Sequence, residues 1–222
     1  MTGATGYIGK RLLPVLVEKG HEVICCVRDR KRFNPPESLR SKVQVIELDL
    51  LDRDSLSNIP NDIDGAYYLV HSMSSSKDYE QLEFQSALNF KEAMNETQVK
   101  HVVYLSGIIN EDNLSKHLSS RKKVEEELGK GNYSLTTLRA GIIIGSGSAS
   151  FEIIRDLGIK VQVEEASIDP LDVKMTHGSV LKLQESHLPV PTTDLRDGIT
   201  QTWNWMNKIE ISQLRGWFEY SS

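Results

Sequence analysis

Gly3, Gly6 and Gly9 recur at intervals of three in the opening run Met1-Thr-Gly-Ala-Thr-Gly-Tyr-Ile-Gly-Lys10, and no other feature restricts the fold of this chain as much. Glycine reaches positive φ at little steric cost, so Gly3 permits a tight turn that a side chain would obstruct. Gly6 leaves room for a pyrophosphate to approach the backbone, and Gly9 lets the following helix pack closely on a neighbouring strand. The free amides and positive dipole end of that helix then face the phosphates. A glycine triplet acquires this meaning only between a strand and a helix, with an acidic or basic residue closing the next strand. The helix and the next strand follow here, but only Met1 and Thr2 precede Gly3. The expectation is that the first strand belongs before Met1 and that the sequence is incomplete there.

The rest of the first 157 residues alternates strand and helix patterns. Residues 11–19 carry a broad apolar stripe through Leu12, Leu13, Val15 and Leu16, with Gly20 as a stop and Pro14 expected in the first turns, where a missing N–H costs least. Strands are expected at 22–27, 43–48, 66–70, 101–105 and 135–138. A polar stretch containing Pro35-Pro36 follows the first of these, and a short helix begins near Asp52. Residues 79–98 have helical spacing through Leu82, Ala87, Phe90 and Met94; residues 114–128 form a charged helix whose Glu125-Glu-Glu127 run reads as a solvated face. The alternation predicts an α/β fold, a doubly wound parallel sheet of the Rossmann type. Past Leu157 the rhythm stops, with strand-like pieces at 159–163 and 180–183 and a Trp203/Trp205 segment. We therefore expect a dinucleotide-binding domain over 1–157 and a smaller α+β portion over 158–222, with a join in the record between Leu157 and Gly158.

Composition narrows the class. A chain of 222 residues, 39% hydrophobic, can bury a full core, and a net charge of −5 gives no general attraction to nucleic acid. Cys25 and Cys26 are neighbours in an apolar run, so on a strand they point to opposite faces and read as buried free thiols. No apolar run approaches the roughly 20 residues that span a bilayer. A cytoplasmic protein with a small-molecule substrate, no nucleic-acid partner and no membrane segment is expected; the sequence is also compatible with a homo-oligomer. The histidines lack Cys or carboxylate ligand spacing, so no metal site is expected.

Five segments occur together and in order: Thr2-Gly-Ala-Thr-Gly-Tyr-Ile-Gly9, Val27-Arg28-Asp29, Asp49-Leu50, Leu105-Ser106-Gly107 and Leu138-Arg-Ala-Gly-Ile-Ile-Ile-Gly145. As a set they resemble the atypical and extended short-chain dehydrogenase/reductases, the NmrA-like and epimerase-like branch of NAD(P)-binding proteins. Gly145-Ser-Gly-Ser-Ala-Ser-Phe151 is similar to a run in a bacterial subgroup of unknown substrate, and Gly216-Trp217-Phe218 is compatible with a second domain found in some relatives.

On the residues themselves, Thr5, Gly6, Tyr7 and Ile8 would present backbone donors to a pyrophosphate flanked by Gly3 and Gly9. Arg28 closes the second strand of such a fold, where a guanidinium suits a 2′-phosphate and an acid would suit a ribose diol. That favours NADP over NAD, with Asp29 as the competing ribose ligand. The resemblance further implies that Asp49 and Leu50 border the adenine, and that Val70 and His71 pass along the ribose and nicotinamide.

Catalysis is where the pattern departs. The family usually pairs a Tyr with a Lys four residues later on the helix after the fifth strand, with a Ser at the strand end to orient the carbonyl. Ser106 fits, but alignment places His117 at the Tyr position and Arg121 at the Lys position, and no Tyr occurs from Ile108 to Asn132. Either His117 serves as general acid or base with Arg121 on the ribose or phosphate, or the domain binds NAD(P) without turnover as a sensor, regulatory or assembly module. The expected activity is an NADP-dependent reductase transferring hydride to an unidentified small substrate.

Overall fold

A computed structural model describes residues 1–71, 79–108, 116–141, 143, 181–186, 189–190 and 192–206. Its first unit, within Met1–Ala140, holds five strands: β1 (Val23–Val27), β2 (Val43–Glu47), β3 (Gly65–Tyr68), β4 (His101–Gly107) and β5 (Ser134–Ala140). Three helices accompany them: α1 (Tyr7–Glu18), α2 (Tyr79–Asn95) and α3 (Lys116–Leu128). β1 pairs with β2, and β3–β4–β5 form a second ladder, every pairing parallel.

Met1 and Thr2 connect the two ladders. The Cys26 amide donates to the Met1 carbonyl at 2.9 Å, and the Thr2 amide donates to the Tyr67 carbonyl at 3.0 Å. The spatial order is thus β2–β1–(Met1–Thr2)–β3–β4–β5, with the winding reversing between β1 and β3. This is the doubly wound parallel arrangement expected from the alternation, and it places a crevice beyond the strand ends flanking Gly3.

The two faces of the sheet bury separate cores. Leu13 of α1 packs with Val23, Cys25 and Val27 on one side. On the other, Ala87, Phe90 and Met94 of α2 and Val124 and Leu128 of α3 pack with Tyr68, Val102 and Tyr104. Period-two alternation sends Cys25 into the first core and Cys26 against the second, and both thiols are free, as read from the sequence. Tyr68 meets both Phe90 and Tyr104 edge-on, with ring centroids 4.9 Å and 5.8 Å apart.

Several local expectations are corrected. α1 begins at Tyr7, not Arg11, because Gly6 in extended conformation already serves as its N-cap. Pro14 therefore falls two turns into the helix, where it removes the bond it would have donated to the Lys10 carbonyl. Residues 181–183, read as a strand, belong to the short helix α4 (Leu181–Glu185) in the second unit. Leu, Lys, Gln and Glu are all favourable helix formers, and the alternation of Leu181 and Leu183 misled. α5 (Leu195–Met206) carries Trp203 and Trp205, whose side chains lie outside the described residues. The 159–163 strand, the Gly145–Phe151 run, the Gly216-Trp217-Phe218 triplet and the boundary at Leu157 also lie outside them.

The solvated face expected for residues 125–127 is also wrong at its last member. Glu127 keeps only 4% of its side chain exposed, accepting from Lys91 of α2 at 2.5 Å and from Lys130 at 2.6 Å. Hydrogen bonds from Lys130 and then Lys91 hold the carboxyl below its ordinary value, against a desolvation that pushes the other way. A depressed folded-state value means stability present above the ordinary carboxylate range and lost as pH falls through it. Glu127→Gln should destabilise the protein by about 1–3 kcal/mol at neutral pH, reduced from a fully buried pair by the partial solvation of Lys130. In urea melts at successive pH values, the gap from wild type should close as pH drops into the acid range; a constant gap would show that the carboxylate charge is not what matters.

Candidate functional site

The turn from Thr2 into α1 has the geometry its glycines predict, with one refinement. Gly3 has φ +68°, and a Cβ there would lie 2.7 Å from the Leu69 carbonyl oxygen, so the turn and the end of β3 are in backbone contact. A Cβ on Gly9 would lie 2.3 Å from the Gly3 oxygen and 2.8 Å from the Ala4 Cα. Gly9 thus packs α1 against its own entry loop rather than against a neighbouring strand. A Cβ on Gly6 would meet the Gly3 oxygen alone, at 3.2 Å, and its other side is open. The Gly6 amide donates to the Gly3 carbonyl, and the Lys10 amide donates to Gly6 at 3.0 Å as the first bond of α1. By helix geometry the Tyr7, Ile8 and Gly9 amides have no acceptor within the helix and point out of its N-terminus.

A cavity of about 470 Å³ opens at this turn, beyond the ends of β1, β2 and β3. Of the expected cofactor residues, Gly3, Thr5, Gly6, Arg28, Asp49, Leu50, Val70 and His71 line it; Tyr7, Ile8 and Gly9 stand beside it in the first turn of α1. Arg121 lines it from α3. Ser106 does not: its side chain is 1% exposed, and its Oγ has no hydrogen-bond partner among the described residues, although it neighbours the Tyr104 phenol closely enough to affect it. His117 occupies the first turn of α3, with its side chain outside the described residues.

The carboxylates around the mouth are engaged with backbone. Asp29 Oδ1 accepts from the Lys31 amide at 2.9 Å and caps a short 3-10 turn, Arg30–Arg32. Glu47 accepts from the Arg30 amide at 2.9 Å, and Asp49 Oδ1 accepts from Leu51 at 3.0 Å. The Arg28 side chain, by contrast, has neither hydrogen bond nor ion pair among the described residues.

On the far wall lies a polar chain that the sequence reading missed. Glu83 of α2 is buried; its Oε2 accepts from Ser120 Oγ of α3 at 2.5 Å, and its Oε1 lies 2.8 Å from His71 Nδ1. The signal was available. Glu83, Ala87, Phe90 and Met94 fall at steps of four, three and four, so the apolar stripe of α2 contains a carboxylate. Leu82, assigned to that stripe, is instead 40% exposed at the cavity edge. Tyr104 also lines the cavity, and burial pushes its phenol up to about 12 despite the neighbouring Ser106 and Arg121.

The family model for NAD(P)H-binding proteins matches residues 3–146. The chain belongs to this NAD(P)H-binding family. Among curated relatives, cinnamoyl-CoA reductase 1 of Petunia hybrida is 29% identical over 116 residues, 49% of this chain and 34% of that protein. The chloroplastic divinyl chlorophyllide a 8-vinyl-reductase of Arabidopsis thaliana is 24% identical over 174 residues, 70% of this chain and 42% of that protein. The chain thus spans less than half the length of either. Among solved structures, the Citrobacter triphenylmethane reductase complexed with NADP(H) has a TM-score of 0.53 at 22% identity, over 64% of this chain and 48% of that one. That likeness is one of fold. No helix among the described residues is long and apolar enough to cross a membrane.

The packing of the Gly3–Gly9 turn has a direct structural consequence. Gly9→Ala forces backbone apart and should cost at least about 3 kcal/mol, the range of strain at special positions. Gly6→Ala should cost only about 1 kcal/mol, mainly as a poorer helix N-cap. Urea denaturation of the ligand-free protein would show the difference, and equal losses would contradict the packing described for Gly9.

Proposed function

We propose that the cavity holds a nicotinamide dinucleotide, NADPH in preference to NADH, and that the protein is a reductase of a small carbonyl or related compound. The residues fit such a group on three grounds: an open Gly6 at the mouth, unsatisfied amides at the start of α1, and a cationic strand end. In this reading Gly3, Thr5 and Gly6, with the amides of Tyr7, Ile8 and Gly9, hold the pyrophosphate. Asp49 and Leu50 border the adenine, and Val70 and His71 the ribose and nicotinamide side.

The carrying observation is the contrast at the end of β1. Asp29 spends a carboxylate oxygen capping its own turn, while the Arg28 guanidinium at the cavity has no partner among the described residues. A diol-binding acid is thereby occupied, and a phosphate-binding fork is left available. When bound, the reduced nicotinamide supplies a hydride. Arg121 presents a fixed positive charge to the same cavity and serves to hold an oxygen that becomes negative. Ser106, buried behind the cavity wall, is given no substrate contact. That burial favours a second reading, a domain that binds the cofactor without turnover.

Calorimetric titration tests the first part: Arg28→Ala should weaken NADPH by about 10–100-fold, the worth of a charge-assisted phosphate contact, and leave NADH within about threefold. Equal losses would remove the 2′-phosphate assignment. NADPH oxidation in the presence of menadione, trans-cinnamaldehyde and 4-nitrobenzaldehyde tests the second part. Tight binding with no oxidation of NADPH by any of them selects the non-catalytic reading.

A further inference from the structure

Glu83 poses a problem that packing does not answer. A carboxylate at a core position of α2 is costly unless its oxygens are satisfied, and the groups that satisfy it come from elsewhere in the fold. Ser120 reaches it from α3 and His71 from just beyond the end of β3, so three separate elements converge on one side chain. Ser120 is itself fully buried and gives its hydroxyl proton to Glu83. His71 is different: 27% of its side chain is exposed, and it lines the cavity. An ionised carboxylate facing Nδ1 fixes the proton on that nitrogen, so the second ring nitrogen, Nε2, is the one left to exchange protons. Nε2 has no partner among the described residues.

We propose that His71 is the proton donor of this site, held and oriented by Glu83, which is in turn positioned by Ser120. The proposal rests on the reductase reading, in which a reduced nicotinamide is the source of the hydride. Each two-electron reduction then requires one proton for the substrate atom that ends as O–H or C–H. That proton leaves Nε2 of the imidazolium; the N–H bond breaks, and its electron pair stays on the ring. His71 is left neutral, with Nδ1–H still directed at Glu83, and water reaching its exposed edge returns the proton. Arg121, across the same cavity, stabilises negative charge on the substrate oxygen until the proton arrives.

The remaining groups around the dyad do not compete for this role. Glu80 and Tyr79 are on α2 itself, Tyr68 on β3, Tyr104 on β4 and Arg121 on α3, with Asp49 on the opposite lip. Burial raises the phenols of Tyr68 and Tyr104 above their ordinary value, which makes them weaker acids still, and a guanidinium does not usefully lose its proton. Asp49 is bound to the Leu51 amide. Of these groups, only an imidazole ordinarily changes charge near neutrality.

Two measurements on the full chain test the assignment. Nitrogen-15 NMR of the ligand-free protein should find neutral His71 as the Nδ1–H tautomer, and Glu83→Gln should erode that preference. A predominant Nε2–H tautomer in wild type overturns the proposal without reference to activity. With whichever of menadione, trans-cinnamaldehyde or 4-nitrobenzaldehyde is turned over, His71→Asn should lower kcat by about 100-fold or more, the usual worth of a general acid. It should also remove the limb on which rate falls as pH rises, an effect that loss of a cofactor contact alone would not produce. Glu83→Gln should lower kcat less and shift that limb. Wild-type turnover that survives His71→Asn with the same pH profile overturns the proton role alone. Absence of any wild-type turnover overturns the reductase reading, and the proton role with it.

Discussion

Every functional distance in this fold depends on a seam two residues wide. Met1 gives a hydrogen bond to the Ile24 carbonyl and takes one from the Cys26 amide on the β1 side. Thr2 gives one to the Tyr67 carbonyl on the β3 side, so that β1 and β3 are held one strand's width apart. Each such bond contributes only about 1 kcal/mol net, but a buried amide left without one costs more. Thr2 reinforces the seam with its side chain: Oγ1 donates to the Tyr67 carbonyl at 3.1 Å and lies 3.4 Å from the Leu69 amide. Since the chain turns at Gly3 directly out of this seam, α1 starts where β1 and β3 diverge. The backbone contact between Gly3 and Leu69 then fixes the height of that start. The crevice is therefore a consequence of strand order, and the glycines determine how close a ligand can come to its floor.

The helix pair behind the crevice buries two carboxylates and treats them differently. Glu127 is clamped by two lysines and held as a permanent anion, which ties α3 to α2 at the end away from the site. Glu83 instead meets a hydroxyl, that of Ser120, and an imidazole, that of His71. A clamp of fixed charges is suited to stability, since nothing in it changes near neutral pH. A carboxylate paired with a histidine has one partner that gains or loses a proton in that range. The α2–α3 contact thus contains a cluster of fixed charges and a polar chain that reaches the cavity through His71.

Much of this was legible in the sequence because it depends on local rules. Period-two alternation placed Cys25 and Cys26 on opposite faces, and the Gly3–Gly9 spacing located the turn and the helix. Strand ends at Arg28, Asp49 and Val70 converge on the cavity because parallel strands all finish at one edge of the sheet. What escaped depends on contacts distant in sequence. The spacing on α2 marks Glu83 as buried but not its pairing with Ser120, 37 residues away, and the pairing of Lys91 with Glu127, 36 residues apart, is equally invisible along one helix. Glu127 was misread because an acidic run resembles a solvated face whenever its partners are out of view. Ser106 was placed on the correct strand, but period two alone could not say that its hydroxyl would lie behind Tyr104's wall of the cavity.

Charge at the crevice runs against that of the whole chain. In a protein of net charge −5 carboxylates are plentiful, and two arginines are paired with them: Arg53 with Glu92 and Arg139 with Glu125. At the mouth, Asp29 and Glu47 bind the Lys31 and Arg30 amides and Asp49 binds the Leu51 amide, and no ion pair to the Arg28 guanidinium exists among the described residues. Arg121 on the opposite wall has no ion pair among them either. Two guanidiniums that line one cavity with no ion pair among the described residues repel each other. Their cost is offset when an anion enters, and a low-dielectric cleft strengthens that attraction. By capping its own turns with its own acids, the chain keeps both cations available to a negatively charged ligand.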